Sequence, residues 1–336
     1  MSRYARQISL ADVGTNGQTQ LEKAHILVVG AGGLGSAALP YLVGAGLGRL
    51  TLVDGDKVSL SNLHRQVLYK EADINKAKVE CALGHLHGIN KHAVIETHNF
   101  HLTPKNVAQM CNKVDVVLDC ADNFAVSYTL SDYCLSNSIP LVSASALGFT
   151  GYIGGFCHQS PSLRAVFPEL PEHAPNCSSA GVMGPVVGTL GCMQAQFALN
   201  ILLKLQPSPL GQLLNIDLRN LTQTSFRFDD APEPNIDDSL RFVDASDINQ
   251  EDWVVDLRTH SNNISAKGID TKPKVHYATL DDFAQHKLSP KTKQHAIIAC
   301  KTGLTAWRAA RMLQQYWQGN ISLVAMGEAP LNGPKH

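Results

Sequence analysis

The sequence predicts an α/β protein of two unequal units, and three observations carry that expectation. β-Branched apolar runs alternate with helical segments, a glycine turn joins the first strand to a long helix, and an acidic stretch with prolines interrupts the pattern after residue 228. The chain has 336 residues, whereas single hydrophobic cores seldom organise more than about 250 to 300. Its composition, 44% hydrophobic and 17% charged, excludes fibrous and disordered classes. The formal net charge of -1 supplies no global field for nucleic acid or an anionic membrane, so any anion site has to be local.

Eight cysteines occur without a CxxC pair, and the start MSRYARQISL lacks an apolar signal core. Both features point to a reducing, cytoplasmic setting. The stretch from Ala180 to Leu203 comes nearest to membrane-spanning length, but Gln194, Gln196, Asn200 and several glycines make it read as a buried helix.

In chain order, HILVV (25–29) reads as a strand, GAGGLG as a turn and SAALPYLVGAGL as a packed helix. Further strand runs are expected at 50–53, 94–96, 114–118 and 140–143, which implies a Rossmann-like, mainly parallel sheet with active groups at the carboxyl ends of its strands. The acidic stretch FDDAPEPNIDD (228–238) reads as a linker, so the expected division is 1–228, a linker at 229–239, and a smaller α/β unit at 240–336. Short strands at 253–257 and 296–299 and a helix over 306–317 are expected in that second unit.

Gly30, Gly32, Gly33 and Gly35 form GxGxxG between a strand and a helix, where the backbone can approach phosphate and the helix start favours negative charge. Asp54 ends the next strand, in position to accept hydrogen bonds from ribose hydroxyls. These features alone fit an NAD-dependent oxidoreductase equally well. The residues after Asp54 favour a triphosphate: Asp56, Asn62, Arg65 and Gln66 crowd one short loop and Lys78 comes soon after, a cluster suited to negative charge developing at an α-phosphorus. Asp122, with Asn123 beside it in VVLDCADN, stands just past a strand and can hold Mg²⁺ against phosphates, with Asp119 as a neighbour or a strand-end residue. No GxxxxGK[ST] occurs, which disfavours a P-loop enzyme.

RYARQ, GAGGLG, LVDGDKVSLSNLHRQ, KAKVE, LDCADN and NCSSAGVMGPVVGTLG, in that order across residues 1–228, resemble the ThiF/MoeB/HesA family, bacterial relatives of the ubiquitin-activating enzymes. The resemblance implies that Asp54 binds ribose, that Asn62, Arg65, Gln66 and Lys78 contact the phosphates of ATP, and that Asp122 holds Mg²⁺. It implies a homodimer in which Arg6, with Arg3 as the alternative, reaches the partner's site. The implied reaction is adenylylation of the Gly-Gly carboxylate of a ubiquitin-like sulfur carrier, with pyrophosphate released.

The family commonly holds structural zinc on two CxxC pairs, the first aligning with Ser162 and Ala165 here. Those cysteines are missing from the sequence, so zinc is not expected, and packing by Leu163, Val166 and Phe167 is the expected substitute. Cys177 matches the family's loop cysteine, a site of carrier linkage or sulfur transfer. The remaining first-unit cysteines read as buried thiols.

Near the C-terminus, HAIIA is followed by Cys300, then KTGLT and a helix. Loop N–H groups and the helix start would stabilise a thiolate there, which makes Cys300 a candidate nucleophile. The loop and VVDLR (254–258) resemble rhodanese domains, where such a cysteine carries a persulfide from a donor such as a cysteine desulfurase; only Gly268 and Ile269 remain of a further rhodanese segment. A C-x₅-R phosphatase would need arginine where Ala306 stands. The expected function is activation of a sulfur carrier, preferably the thiamine-pathway carrier ThiS, with the molybdopterin-synthase small subunit as the alternative. A non-catalytic carrier-binding module is the remaining reading.

Overall fold

The computed structural model describes residues 3–170, 181–235, 239–258 and 275–326. In the first part the elements are α1 (Ala5–Ile8), α2 (Gly14–Lys23), β1 (His25–Val29), α3 (Gly33–Gly44), β2 (Arg49–Val53), α4 (Lys78–Ile89), β3 (Val94–His98), α5 (Val107–Met110), β4 (Val116–Asp119) and α6 (Phe124–Ser136). Next come β5 (Leu141–Leu147), β6 (Thr150–Phe156), α7 (Leu163–Val166), α8 (Gly184–Leu202), β7 (Gln212–Asp217) and β8 (Thr222–Arg227). They form one eight-stranded sheet in the order β3-β2-β1-β4-β5-β6-β7-β8. Pairing is parallel from β3 through β5 and antiparallel from there to β8.

β4 is buried throughout and β1 and β2 nearly so, as expected of central strands covered by helices on both faces. The strand order reverses between β1 and β4, and the register aligns Val29 with both Val53 and Asp119. The loops after β1, β2 and β4 therefore open at one level, in the crevice where such sheets bind ligands. The apolar 180–203 stretch becomes α8, with Gln194 fully buried. Among the described residues, no helix is long and apolar enough to cross a membrane.

The second part contains β9 (Arg241–Phe242), β10 (Trp253–Asp256), β11 (Val275–Tyr277), α9 (Leu280–Ala284), β12 (Ala296–Cys300), α10 (Leu304–Gln314) and β13 (Ile321–Ala325). Its sheet runs β11-β10-β12-β13-β9 with every pairing parallel. Cys300 ends the central strand.

The two sheets share a core. Tyr128, Leu163 and Phe228 join Phe242, Trp253, Phe283 and Trp307 in a single apolar cluster. The acidic stretch does not behave as a free tether: Phe228 is buried, and the Glu233 carboxylate accepts hydrogen bonds from the Ser162 amide at 2.5 Å and the Ser162 hydroxyl at 2.6 Å. This clamp joins the segment that aligns with the family's first cysteine pair to the stretch after residue 228. Leu163 is buried and Val166 and Phe167 pack on the core, while Arg164 adds a bidentate pair with Asp132 at 2.6 and 2.9 Å. Composition read this stretch as solvated because a lone glutamate carries no sign of its distant partner.

Candidate functional site

Gly30 has φ +99°, and a β-carbon there would lie 2.5 Å from the Cys120 carbonyl oxygen, so the turn requires glycine. A β-carbon on Gly33 would overlap Val187 of α8, and one on Gly35 would overlap the Gly30 carbonyl. Gly32 differs: the nearest atom to its β-carbon would be Gln66 Nε2 at 3.7 Å. The protein itself leaves this space beside the start of α3, a helix that no side chain caps. Uncapped first-turn N–H groups next to open space are receptive to an anion.

Gln66 lines the same space. It is 3% exposed, and its Oε1 is the single buried side-chain oxygen or nitrogen among the described residues without a hydrogen-bond partner. A buried amide left unpaired costs about 1–3 kcal/mol, which a bound polar ligand would recover.

Asp54 braces the turn, its two oxygens accepting from the Ala31 and Asp56 amides at 2.7 Å each. Each oxygen keeps a further lone pair for a ribose hydroxyl. Lys78, at the first position of α4, is almost fully buried and its Nζ lies 2.8 Å from Asp56 Oδ2. Asp56 is more than half exposed, so an arriving phosphate can draw the ammonium away with little desolvation loss. Arg65 donates to the Ser61 carbonyl at 3.1 Å and lies 2.8 Å from His64 Nε2; Asn62 belongs to the same turn of chain.

Asp122 is exposed in the loop after β4. A single carboxylate facing phosphates suits Mg²⁺, which keeps several waters and takes one or two protein ligands. Asn123 caps α6, its Oδ1 accepting from the Ala125 amide at 2.8 Å. Asp119 is buried at the end of β4, accepting from the Ser143 hydroxyl at 2.8 Å and the Ala121 amide at 3.2 Å. Burial raises its carboxyl to about 6.

Folding therefore takes up a proton at Asp119 between the ordinary carboxylate range near 4 and about pH 6. This group contributes no penalty below pH 4; the penalty grows as pH rises from 4 to 6 and levels off above, at about 3 kcal/mol. Asp119→Asn mimics the protonated form. It is expected to flatten the fall of Tm from pH 4 to 7 in metal-free buffer; an unchanged slope would remove Asp119 as its source.

Two supporting residues escaped the sequence reading. Tyr69, buried, donates its hydroxyl to the Ala31 carbonyl at 2.8 Å, and burial beside Asp54 keeps the phenol protonated. Gln194 donates to the Asp119 carbonyl at 2.7 Å and fixes the end of β4 from α8. Of the amide side chains in that helix, Gln194 alone falls on its buried face, which is the available signal.

Arg3 is held within its own chain, donating to the Ile89 carbonyl at 2.8 Å, whereas Arg6 is exposed on α1. Cys177, Gly268 and Ile269 lie outside the described residues. Cys81, Cys111, Cys120, Cys134 and Cys157 are buried, Cys192 partly so. Burial pushes the Cys120 and Cys157 thiols up, Cys157 to about 12.

Cys300 sits in the expected loop. Its Sγ accepts from the Gly303 and Ala306 amides at 3.1 and 3.3 Å, the second belonging to the first turn of α10. The sulfur loop is nevertheless closed, with Cys300 only 3% exposed. Cys300 is the expected candidate nucleophile, and its burial within the cluster shared by both parts of the chain is not legible in the sequence.

The sheet order, the glycine turn at the switch point and the polar cluster around it define a doubly wound α/β domain with an anion-receptive crevice. The chain belongs to the ThiF family, whose sequence model matches residues 4–237. It is 41% identical over 230 residues to "Adenylyltransferase and sulfurtransferase MOCS3" of Anopheles gambiae, covering 68% of this chain and 52% of that protein. It is 43% identical over 211 residues to "Adenylyltransferase and sulfurtransferase uba4" of Aspergillus terreus, covering 60% and 44% respectively. The chain thus spans about half the length of the curated relatives it matches.

Among solved structures, E. coli MccB with MccA-N7isoASN superposes with a TM-score of 0.63 at 20% identity, over 70% of this chain and 75% of that one. E. coli MccB with ATP gives 0.60 at 19%, over 70% and 72%. These likenesses speak to the fold.

Proposed function

We propose that this chain adenylylates the C-terminal Gly-Gly carboxylate of a ubiquitin-like sulfur carrier and passes sulfur toward a thiocarboxylate. The observation that carries the first half is the space beside Gly32, bounded by Gln66, whose Oε1 has no partner, and by an uncapped helix start, with Asp54 on a neighbouring strand end. In this reading Gly30, Gly32, Gly33, Gly35, Asp54, Asp56, Asn62, Gln66 and Asn123 form the nucleotide site. Arg65 and Lys78 meet the charge of the phosphates, and Arg6 completes the site of the second copy in a homodimer. Asp122 would hold Mg²⁺, which supplies charge neutralisation when bound.

A carrier carboxylate oxygen attacks the α-phosphorus, the bond to the bridging oxygen breaks, and pyrophosphate leaves with the electron pair. The resulting acyl adenylate is open to a sulfur nucleophile, with AMP as leaving group. A persulfide on Cys300 or Cys177, loaded by a desulfurase-type donor, is that nucleophile; its attack leaves an acyl disulfide, and a second thiol attacking the cysteine sulfur frees the thiocarboxylate and leaves a disulfide behind. The assignment takes 1–228 as the adenylylating domain and 240–336 as a rhodanese-like domain joined through 229–239, in a cytoplasmic protein. The relatives' printed names, which pair adenylyltransferase with sulfurtransferase, support combining the two activities.

The test is ATP–pyrophosphate exchange with ThiS and, in parallel, the molybdopterin-synthase small subunit, with Asp122→Ala as control. ThiS is preferred; exchange with one carrier, lost in the control, names the pathway. No exchange with either, together with nicotinamide binding in a fluorescence titration, would overturn adenylylation in favour of an oxidoreductase. Carrier binding without turnover would indicate a binding module.

A further inference from the structure

We propose that Trp307 and Arg311 are positioning residues that dock the Cys300 loop on the first turn of α6, beside the loop carrying Asp122; the functional meaning rests on the proposed adenylylation and sulfur transfer. The contact is direct. A β-carbon on Gly303, whose φ is +89°, would lie 2.6 Å from Phe242 in its own unit and 3.3 Å from Ala125 Cβ in the other. Ala125 lies three residues beyond Asp122, so their Cα atoms are at most about 11 Å apart. The sulfur loop and the candidate magnesium carboxylate share one helix start.

Four residues after Gly303, Trp307 is 2% exposed, and its ring centroid lies 5.4 Å from that of Tyr128 on α6. Its Nε1 donates to Glu169 Oε2 at 3.4 Å. One turn further along α10, Arg311 grips the same carboxylate, Nη2 2.6 Å from Oε1 and Nε donating to Oε2 at 3.0 Å. Arg164 completes the seam, its guanidinium carbon 4.6 Å from the Tyr128 ring centroid and 5.6 Å from that of Trp307. Aromatic packing supplies the contact area, and the bidentate pair fixes the angle of α10.

Docking bears on sulfur chemistry in two ways. In the docked arrangement Cys300 is 3% exposed and Gly303 of its loop lies against Ala125, so on this proposal loading by a donor protein requires the seam to open. Closing it returns the sulfur to one place next to the nucleotide crevice, without dependence on the reach of a flexible tether.

The experiment is iodoacetamide labelling of the full-length chain, with the rate at Cys300 followed by peptide mass mapping. Arg311→Glu sets two carboxylates against each other and is expected to raise that rate about fivefold, the scale of one exposed ion pair. The double variant Arg311→Glu/Glu169→Arg is expected to restore the parental rate. Should Arg311→Glu melt early, Ala125→Glu, which inserts a carboxylate between the loop and α6, carries the same expectation.

Parental labelling in Arg311→Glu, acceleration that the charge swap does not reverse, or equal acceleration at buried Cys157 would each overturn the proposal. Labelling needs no catalysis, so a chain that shows no pyrophosphate exchange still reports on the seam, and the failure of one reading is distinct from that of the other.

Discussion

Lys78→Met is expected to lower carrier-dependent pyrophosphate exchange about 10²–10³-fold, the usual cost of deleting one preorganised charge at a centre where negative charge develops. The expectation rests on where the ammonium sits. Lys78 begins α4 with its side chain buried, and its amide donates to the Asp56 carbonyl at 3.0 Å, so backbone and side chain are tied to the same residue. The charge is thereby held at the crevice before any nucleotide arrives. Methionine keeps the buried stem, and the abandoned Asp56 carboxylate is left largely in water, so folding should change little. Exchange kinetics and thermal melting on the same preparation check both halves. Exchange within about threefold of the parent would show that Lys78 serves only the fold.

The glycine turn separates binding from folding more sharply. Gly35→Ala is expected to destabilise the protein by about 3 kcal/mol or more, because its β-carbon would overlap the Gly30 carbonyl across a turn with no slack. Gly32→Ala meets no protein atom closer than Gln66 Nε2 at 3.7 Å, so stability should stay within about 0.5 kcal/mol of the parent. Its added methyl would occupy the space left for phosphate, and ATP protection against thermal unfolding should largely disappear. Undiminished protection by ATP in Gly32→Ala would mean that the nucleotide lies elsewhere.

The sequence by itself determined the parallel half of the large sheet and the location of the crevice. β1, β2 and β4 are short apolar runs buried on both faces, and a glycine turn between strand and helix has few physical uses. It also placed Asp54 and Asp122 just past strand ends, because each follows a readable apolar run, whereas the position of Lys78 at the start of α4 came from the structure.

The antiparallel half was not legible. β6 (TGYIGGF) carries three glycines, and β8 (TQTSFR) is exposed along its whole length, so neither shows a strand's apolar signature; pairing with β5 and β7 makes them strands. Only the tertiary structure assigned partners to polar groups: Asn123 to the cap of α6, Gln194 to the Asp119 carbonyl, Glu233 to Ser162. Only the tertiary structure, too, turned a composition that read as two tethered units into a shared core with Cys300 buried in it. Periodicity reports which face of an element is buried, whereas what buries it is set by contacts between residues far apart in the chain, such as Trp307 and Tyr128, that leave no period in the sequence.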